Sequence, residues 1–488
     1  MRRIDMDNKT VDRDALFIGG RWVAPQEGAT VDVVEAATEK VLGRSAVASA
    51  ADIDAAVSAA RDALRGPWGQ LDNRARADVL DAFASALKKR GRDTATLVSR
   101  ENGMPISLSA GVNGFGPAAM IRYYAALVRE AAPEDVRPSA FGGRTVVRRE
   151  PVGVVAAITP WNYPQPLAAM KIAPALAAGC TVILKAAPET ALDAFAFADA
   201  AEEAGLPAGV LNIVPAGREA SAYLVQHPGV DKVAFTGSTA AGRAIGEVCG
   251  RLLRPVTLEL GGKSAAIVAA DADLSVFAAN LAEVSLVNNG QTCHASTRIL
   301  APRARYADVV EAVTETVRGL VVGDPLDKAT AIGPLVSAAQ RERVLGYIED
   351  GRSAGYRITT GGGAPDSQPL GWFVEPTVFV DVDNSARIAQ EEIFGPVLTI
   401  TPYADEDEAV AIANDSEYGL GGTVWTADEE HGLALAARIH SGTVGVNHYA
   451  LDLDAPFGGV KSSGLGRELG PEGLNPYFAT KSVYFGTR

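Results

Sequence analysis

Short apolar runs and amphipathic stretches alternate through the middle of the chain. Runs rich in Val, Ile and Leu predict buried strands at residues 152–158, 181–185, 210–214 and 232–235. Helical patterns follow the first, second and fourth of these runs, at residues 166–178, 192–204 and 240–248. This alternation is typical of a parallel sheet covered by helices on both faces. Because such sheets bind ligands at the carboxyl ends of their strands, unusual residues at those ends are candidates for function.

The flanking segments predict further units. Residues 13–24 predict a short hairpin, residues 51–98 are helical, and residues 133–149 alternate like an exposed hairpin. A second α/β region is expected from about residue 263 to 460, with strands at 265–268 and 297–300 and a long helix through residue 287 between them. The tail from residue 467 is β-prone. An exposed strand edge and such a tail favour self-association, with the tail docking on a neighbouring subunit.

Composition narrows the class of protein. A chain of 488 residues is too long for one core, so two or three domains are expected. The formal charge of −14, without a basic block, disfavours nucleic acid and anionic membranes as partners. The residues after Met1 include a basic pair but no apolar stretch, so a secretory signal is not expected, and no run of about 18 apolar residues predicts a membrane span. Three cysteines are too few for a disulfide framework, which predicts a soluble cytoplasmic protein.

Cys293 is the strongest candidate for chemistry. It ends the stretch Asn-Asn-Gly-Gln-Thr-Cys, and Glu259 lies upstream in Leu-Glu-Leu-Gly-Gly-Lys. A thiol can form a covalent adduct, and a carboxylate can activate the water that resolves it. Taken alone, a glycine-flanked cysteine is usually a small buried side chain. His294 is not expected to serve as its base, since adjacent residues seldom face each other; Cys180 and Cys249 are expected to be buried packing residues.

Three further motifs lie where a ligand could bind. Gly237-Ser238 follows a strand and opens a helix, which suits either a phosphate or a simple helix cap. The turn Pro160-Trp161-Asn162-Tyr163-Pro164 could aim an amide at an oxyanion or form a packed corner. Glu391-Glu392-Ile393-Phe394 could hold a ribose and a flat ring or be a solvated acidic turn.

Other cofactor classes are disfavoured. Gly262-Lys263-Ser264 resembles the end of a Walker loop, but Thr257 replaces its first glycine. Arg243 follows Gly242 where a Walker loop has lysine, so ATP chemistry is not supported. The dinucleotide pattern G-x-G-x-x-G does not follow any predicted strand either. The five histidines lack metal-ligand spacing, and no metal is predicted.

Taken together, these motifs resemble the NAD(P)-dependent aldehyde dehydrogenase superfamily over nearly the whole chain. The resemblance implies a Rossmann-type NAD(P)-binding domain at residues 1–132 and 150–260 and an α/β catalytic domain at 261–466. It also implies a small oligomerisation unit formed by the hairpin at 133–149 and the tail at 467–488. Dimers or tetramers are usual among similar proteins, so a homodimer or homotetramer is expected.

The same resemblance assigns roles to individual residues. Cys293 looks like the nucleophile, Glu259 like the general base and Asn162 like the oxyanion donor. The implied reaction oxidises an aldehyde to a carboxylic acid through a cysteine thiohemiacetal and a thioester, which glutamate-activated water hydrolyses. The residues expected to bind the cofactor are Ile158, Thr159, Trp161, Lys185, Glu189, Gly217, Gly237, Ser238, Leu260, Glu392 and Phe394.

Two departures from the family pattern affect specificity. Many NAD-using relatives have a glutamate three residues after the ribose-binding lysine, but here that position is Pro188 and the acid, Glu189, comes one residue later. A displaced carboxylate repels a 2′-phosphate less, so NAD is expected with NADP as the alternative. Gln165 replaces a common apolar residue and is expected to shape the substrate tunnel.

Two rival functions remain open, and the substrate is defined only by class. An enzyme that transfers the acyl group to coenzyme A is disfavoured by Glu259, and a non-catalytic nucleotide-binding protein is disfavoured by the retained candidate residues. A medium-sized, largely uncharged aldehyde is expected as substrate. The segments expected to border its tunnel are Tyr123-Tyr124, Tyr163, His294 and residues 447–452.

Overall fold

Two sheets with parallel centres organise the protein. The structure is a computed structural model that describes residues 11–132 and 134–486. Predictions that fall on residues 1–10, on Pro133 and on residues 487–488 lie outside the described residues. The described chain forms sheets of eight, seven, three and two strands, with helices packed against the two large ones. The α/β architecture expected from the sequence is therefore observed.

The strands, in chain order, are β1 (Leu16–Ile18), β2 (Arg21–Val23), β3 (Thr30–Val34), β4 (Val41–Ala46), β5 (Glu134–Pro138), β6 (Arg144–Pro151), β7 (Val154–Ile158), β8 (Thr181–Lys185), β9 (Leu211–Ile213), β10 (Lys232–Thr236), β11 (Val256–Glu259), β12 (Ala265–Val268), β13 (Arg298–Pro302), β14 (Arg357–Thr360), β15 (Thr377–Val380), β16 (Val397–Tyr403), β17 (Gly422–Trp425), β18 (Gly445–Val446), β19 (Gly464–Leu465) and β20 (Phe478–Phe485).

The α-helices are α1 (Ala50–Arg65), α2 (Asn73–Asn102), α3 (Ile106–Ser109), α4 (Gly116–Glu130), α5 (Pro164–Ala178), α6 (Phe195–Glu203), α7 (Arg218–Gln226), α8 (Thr239–Arg251), α9 (Leu274–Ser285), α10 (Tyr306–Arg318), α11 (Ala338–Ser353), α12 (Arg387–Gln390), α13 (Glu406–Asn414), α14 (Glu429–Ala436) and α15 (Gly470–Leu474). A π-helical segment spans Ala110–Phe115, and 3-10 turns span Pro67–Gln70, Pro188–Thr190, Val287–Gly290, Arg303–Arg305, Lys461–Ser463 and Asn475–Tyr477.

The eight-stranded sheet has the order β19-β11-β10-β7-β8-β9-β1-β2, and its five central strands are parallel. Alternate residues of β7 point to opposite faces: Val155 and Ala157 join one apolar cluster, and Val154, Ala156 and Ile158 join the other. Strands buried on both faces explain why the sequence shows continuous apolar runs there. The register pairs the last residues of neighbouring strands, so their carboxyl ends form one rim.

The seven-stranded sheet has the order β14-β15-β16-β13-β12-β17-β18 and is parallel except for β14 at one edge. The segment that contains Cys293 connects α9 to β13 of this sheet. The long helix expected through residue 287 ends earlier, at Ser285, because Leu286 already leaves helical angles with a φ of −125° and a ψ of 7°. Asn288 and Asn289 then adopt left-handed backbone angles. The helix expected from residue 192 begins only at Phe195, after a 3-10 turn that starts at Pro188.

The three-stranded sheet joins the predicted hairpin to the tail. Strand β20 pairs antiparallel with β6 over its whole length, and β5 pairs with the other side of β6. The tail thus docks on the hairpin of its own chain, and β5 and β20 form the sheet edges. The domain bounds and the oligomeric state stay predictions. Within residues 11–132 and 134–486, no helix combines the length and apolar character that crossing a membrane requires.

Candidate active site

The turn before Cys293 is built from residues that accept left-handed backbone angles. Asn288 has a φ of 53°, Asn289 of 60° and Gly290 of 75°. Asparagine tolerates this region better than most residues, and glycine adopts it without strain. A Cβ atom on Gly290 would lie 2.2 Å from the carbonyl oxygen of Gly395. The turn therefore packs directly on the segment that follows Glu392.

Gly262 lies in contact with both Cys293 and Glu392. A Cβ atom at Gly262 would lie 2.1 Å from the carbonyl oxygen of Cys293, so only glycine fits there. The N–H of Gly262 also donates to Oε1 of Glu392 at 3.0 Å. Three motifs that are far apart in sequence thus meet at one point.

The Cys293 thiol is half-buried and surrounded by acids. Burial raises its pKa above the ordinary value, and the negative charges of Glu392 and Glu259 raise it further. The backbone N–H groups of Cys293 and His294 oppose this by favouring the thiolate. In the resting protein the thiol is therefore mostly protonated at neutral pH.

His294 belongs to an aromatic stack. Its ring lies 4.9 Å from that of Tyr449 in a stacked arrangement and 6.0 Å from that of Phe457 in an edge contact. Burial lowers the pKa of His294 to about 4, so the ring is neutral near pH 7. Within the described chain, no hydrogen bond joins this ring to the Cys293 thiol, and the ring packs instead on Tyr449 and Phe457.

Asn162 lies beside the turn that carries the thiol. Its side chain is 4% exposed, and Nδ2 donates to the carbonyl oxygen of Gln291 at 2.9 Å. That bond uses one of the two N–H groups of the amide and leaves the other to donate. A second contact joins the same segments, since the Tyr163 hydroxyl lies 2.8 Å from Oγ1 of Thr292. The turn 160–164 is therefore packed against the segment that precedes Cys293, and it also provides a free amide N–H that can donate a hydrogen bond.

Glu259 ends β11 with an unpaired carboxyl group. Both side-chain oxygens are buried without a hydrogen-bond partner among the described residues. A Cβ atom on Gly458 would lie 2.6 Å from Oε1, so a glycine makes room for the carboxylate. Burial raises the pKa of Glu259, and Glu468 raises it further, while Lys171 and Arg467 act in the opposite direction. A carboxylate with a raised pKa is a stronger base, which suits water activation.

The sequence analysis did not identify a buried ion pair whose two charges act on the pKa of Glu259. Lys171 Nζ lies 2.8 Å from Oε1 of Glu468 and donates to Oγ1 of Thr236 at 2.6 Å. Both charged side chains are almost fully buried. The signal that could have revealed this pair is the one lysine in the otherwise apolar helix α5, because an unpaired charge is not buried in such a helix.

A second group of candidates lies where β7 and β8 end. Ile158 pairs with Lys185 in the register, and the N–H of Thr159 donates to the carbonyl oxygen of Lys185 at 3.1 Å. Burial lowers the pKa of Lys185 to about 8, and the exposed Glu189 nearby opposes that change. A buried ammonium group and a hydroxyl are thus held at the rim of the sheet, where they could donate to ribose oxygens.

Two helix N-termini face the same rim. Ser238 caps α8 by accepting a hydrogen bond from the N–H of Ala241 at 3.3 Å, and the N–H of Gly237 donates to the Glu259 carbonyl oxygen at 3.0 Å. Gly217 occupies the cap position of α7. The free amides at the start of these helices could attract phosphate groups.

The remaining candidates are Trp161, Leu260, Glu392 and Phe394. The rings of Trp161 and Phe394 meet edge to face with centroids 5.4 Å apart. Leu260 fills the space left by the missing side chain of Gly242, where a Cβ atom would lie 2.4 Å from Cδ2. Burial raises the pKa of Glu392 to about 7. The part of the chain that the structure describes contains no cluster of three or more His, Cys, Asp or Glu side chains able to hold a metal.

Gln165 differs from the expectation that it shapes a tunnel. The side chain is 1% exposed, and Nε2 donates to the carbonyl oxygen of Asp193 at 2.8 Å. A buried amide must find polar partners, and this one finds them in the segment before α6. Gln165 therefore ties α5 to that segment.

Comparisons with known proteins agree on one family. Residues 22–483 match the model of the aldehyde dehydrogenase family. Geranial dehydrogenase of Castellaniella defragrans is 54% identical over 476 residues, which cover 97% of this chain and 99% of that relative. An aldehyde dehydrogenase of Mycobacterium tuberculosis, solved with NAD+, is 47% identical with a TM-score of 0.95, covering 97% of this chain and 98% of that one.

A mutant aldehyde dehydrogenase of Pseudomonas syringae, solved with NAD+ and octanal, is 39% identical with a TM-score of 0.93. The match covers 98% of this chain and 97% of that chain. The fold class expected from the sequence is confirmed by these structures.

The electrostatics predict how the thiol responds to pH. Replacing Glu392 with Gln removes a negative charge that raises the pKa of Cys293, so the thiolate fraction at a given alkaline pH should increase. The rate of Cys293 alkylation by iodoacetamide in the cofactor-free protein should rise with pH in both forms, and the Glu392→Gln profile should lie at lower pH.

Glu391→Gln is the matched control, since Glu391 accepts from the Tyr347 hydroxyl at 2.6 Å and pairs with Arg387 instead of facing the thiol. A Glu392→Gln profile that coincides with that of Glu391→Gln would contradict this account of the thiol pKa.

Proposed function

Because the chain belongs to the aldehyde dehydrogenase family, which oxidises aldehydes with NAD as cofactor, we propose that Cys293, Asn162 and Glu259 carry out its chemistry. The observation that carries the proposal is the hydrogen bond of 2.9 Å from Asn162 Nδ2 to the Gln291 carbonyl. It fixes an amide donor beside the segment that presents the thiol.

In the first step the Cys293 thiol loses its proton to water, and the resulting thiolate attacks the aldehyde carbon. The oxygen becomes an oxyanion, which the free N–H of Asn162 and the backbone N–H of Cys293 stabilise. Donors aimed at a developing charge in a water-poor site lower the barrier strongly, and losing one such donor typically reduces the rate by about 10²–10³-fold. NAD, when bound, supplies the hydride acceptor, and Cys293 then holds the acyl group as a thioester.

The second step is hydrolysis of that thioester. Glu259 takes a proton from a water molecule, and the resulting hydroxide attacks the acyl carbon so that the acid leaves and the thiolate is restored. The unpaired carboxyl group of Glu259 and its raised pKa support this role. The Lys171–Glu468 pair adjoins it and adds to the field that sets its pKa.

The residues at the sheet rim suit the cofactor. Lys185 and Glu189 would hold the adenosine ribose, and Gly217, Gly237 and Ser238 would meet the phosphates. The set that would contact the adenine, the second ribose and the nicotinamide is Ile158, Thr159, Trp161, Leu260, Glu392 and Phe394. Support comes from the buried ammonium of Lys185 at the rim and from the carboxylate of Glu392, which accepts from the Gly262 N–H at 3.0 Å.

Two rival functions are less well supported. Transfer of the acyl group to coenzyme A would not need a general base, yet Glu259 is buried with its carboxyl group available. A non-catalytic nucleotide-binding protein would not need a thiol, two carboxylates that act on it and an amide donor next to its segment, as Cys293, Glu259, Glu392 and Asn162 provide here.

We also propose an uncharged, largely apolar aldehyde as substrate. A cavity of about 330 Å³ adjoins the segment 443–457, and its described lining is apolar apart from Thr443, His448, Tyr449 and Asp452, with no Lys or Arg to pair an anionic group. Two of those residues, Tyr449 and Phe457, also pack on His294 next to the nucleophile. The similar proteins that act on geranial or were solved with octanal support the same class.

We further propose that the protein forms a homodimer or homotetramer in the cytoplasm. The edge strands of the three-stranded sheet expose Val136 and Tyr484, and the turn between β5 and β6 exposes Phe141, which suits contact with a second copy. The three cysteines are all free, as expected in a reducing compartment.

Glu259→Gln should separate the two steps. The variant should produce NADH in a burst about equal to the enzyme concentration and then turn over slowly, because the thioester forms but water is not activated. Stopped-flow NADH fluorescence with octanal, without coenzyme A, measures both phases. Cys293→Ala is the control and should show no burst while still binding NAD. Steady turnover of Glu259→Gln at the wild-type rate would refute the assigned base.

The charge of the substrate should decide its rate. Octanal should have a kcat/KM at least about 100-fold higher than 8-oxooctanoate, because an unpaired carboxylate is costly to bury and a penalty of about 3 kcal/mol corresponds to that factor. The two aldehydes have the same chain length and differ only in the terminal carboxylate. Equal kcat/KM values would overturn the proposed substrate class.

The cofactor preference should depend on position 188. Pro188→Glu restores a carboxylate three residues after Lys185, and repulsion of the 2′-phosphate should lower kcat/KM with NADP by about tenfold or more while NAD is less affected. Pro188→Gln has a similar size without the charge and is the control. If both variants show the wild-type ratio of NADP to NAD activity, position 188 does not set the preference.

A further inference from the structure

We propose that Asn102 and Asn288 are positioning residues for the oxyanion donor. Their side-chain amides hold the main chain of Asn162, and thereby the direction in which its Nδ2 atom donates. This inference rests on the proposed function, because it assumes that Asn162 stabilises the oxyanion.

The carbonyl oxygen of Asn162 is held from two sides. Asn102 Nδ2 donates to it at 3.0 Å, and Asn288 Nδ2 donates to it at 2.9 Å. Because a carbonyl oxygen has two lone pairs, these bonds fill its capacity. Asn102 Nδ2 also donates to the preceding carbonyl, that of Trp161, at 3.2 Å. The turn therefore cannot rotate without leaving buried polar groups unpaired.

The orientation of Asn102 is itself fixed. This residue ends helix α2 and is fully buried, and its Oδ1 accepts from the N–H of Met104 at 2.9 Å. With the oxygen committed to that donor, the NH2 group must face the turn. A long helix packed in the core thus provides a rigid reference for the Asn162 peptide.

The turn before the nucleophile is tied to the same helix end. Asn289 Nδ2 donates to the carbonyl oxygens of Gly103 at 2.9 Å and Pro334 at 2.8 Å, and its Oδ1 accepts from the N–H of Gly333 at 2.6 Å. The left-handed angles of Asn288 and Asn289 direct these two side chains to separate partners. Nucleophile and oxyanion donor are thereby positioned against one structural element.

Small movements of this peptide should matter to catalysis. One N–H of the Asn162 side chain donates to the Gln291 carbonyl oxygen. The position of the Asn162 main chain also sets the direction of the second side-chain N–H. A displacement of about 1 Å in a reacting geometry can cost about 10²-fold in rate. The network is therefore expected to act on the rate of bond formation at the aldehyde, not on cofactor affinity.

Asn102→Asp tests the inference with little change in shape. An oxygen replaces Nδ2 and faces the two carbonyl oxygens of the turn; a protonated carboxyl group can donate to only one of them, and an ionised one to neither. The rate constant of the NADH burst with octanal should fall by about 10–100-fold. Alkylation of Cys293 by iodoacetamide forms no oxyanion, so its rate should stay at the wild-type value, as should NAD affinity.

Asn212→Asp is the matched control. Asn212 is fully buried in β9, its Nδ2 donates to the carbonyls of Val182 at 3.3 Å and Gly209 at 2.9 Å, and its Oδ1 accepts from the N–H of Gly19 at 2.9 Å. Asn212→Asp therefore loses the same pattern of hydrogen bonds, but in β9 and not beside the turn that contains Asn162. Asn212→Asp should therefore lose thermal stability like Asn102→Asp but keep its burst rate.

Asn288→Gly provides an independent variant, because glycine keeps the left-handed angle and removes only the amide. It should also slow the burst without slowing alkylation. Either variant showing the burst rate of Asn212→Asp, or a parallel loss of alkylation, would overturn the positioning role. Asn162→Ala separates the two proposals: an unchanged burst there would refute the oxyanion role itself.

Discussion

The contact between the Gly262 backbone and the carbonyl oxygen of Cys293 is the constraint on which the site depends. It joins the end of β11, which carries the candidate base, to the turn that carries the nucleophile. Any side chain at position 262 would overlap that carbonyl, with a Cβ atom 2.1 Å away. The same N–H holds Glu392, which lies 130 positions further along the chain, so one residue without a side chain brings together the base, the nucleophile and this carboxylate.

This close packing has an electrostatic consequence. Glu259, Glu392 and Cys293 share a poorly solvated space, and each has a raised pKa because burial disfavours its charged form. The two carboxyl groups also act on the thiol, which keeps it protonated and less open to stray alkylation or oxidation at rest. The raised pKa of Glu259 makes it a better base once the thioester exists. The same burial thus restrains the nucleophile and strengthens the base.

Much of this arrangement could be predicted from local sequence. Continuous apolar runs located β7, β8 and β10 because strands covered on both faces cannot alternate with polar residues. The motifs around Cys293 and Glu259 were visible because each needs glycines where backbones approach closely. The helix bounds were less accurate, since α9 ends where Leu286 leaves helical angles, and leucine is not a residue type that signals a helix end.

The supporting residues could not be predicted, and the reason is physical. An asparagine such as Asn102 is ambiguous in sequence because its role depends on which carbonyls the fold brings to its amide. The Lys171–Glu468 pair spans almost three hundred positions, and neither residue signals its partner. Residues that do chemistry occur in short motifs, because reacting groups need a defined local backbone. Residues that hold them in place are drawn from wherever the packed core supplies a matching hydrogen bond, so they emerge only in three dimensions.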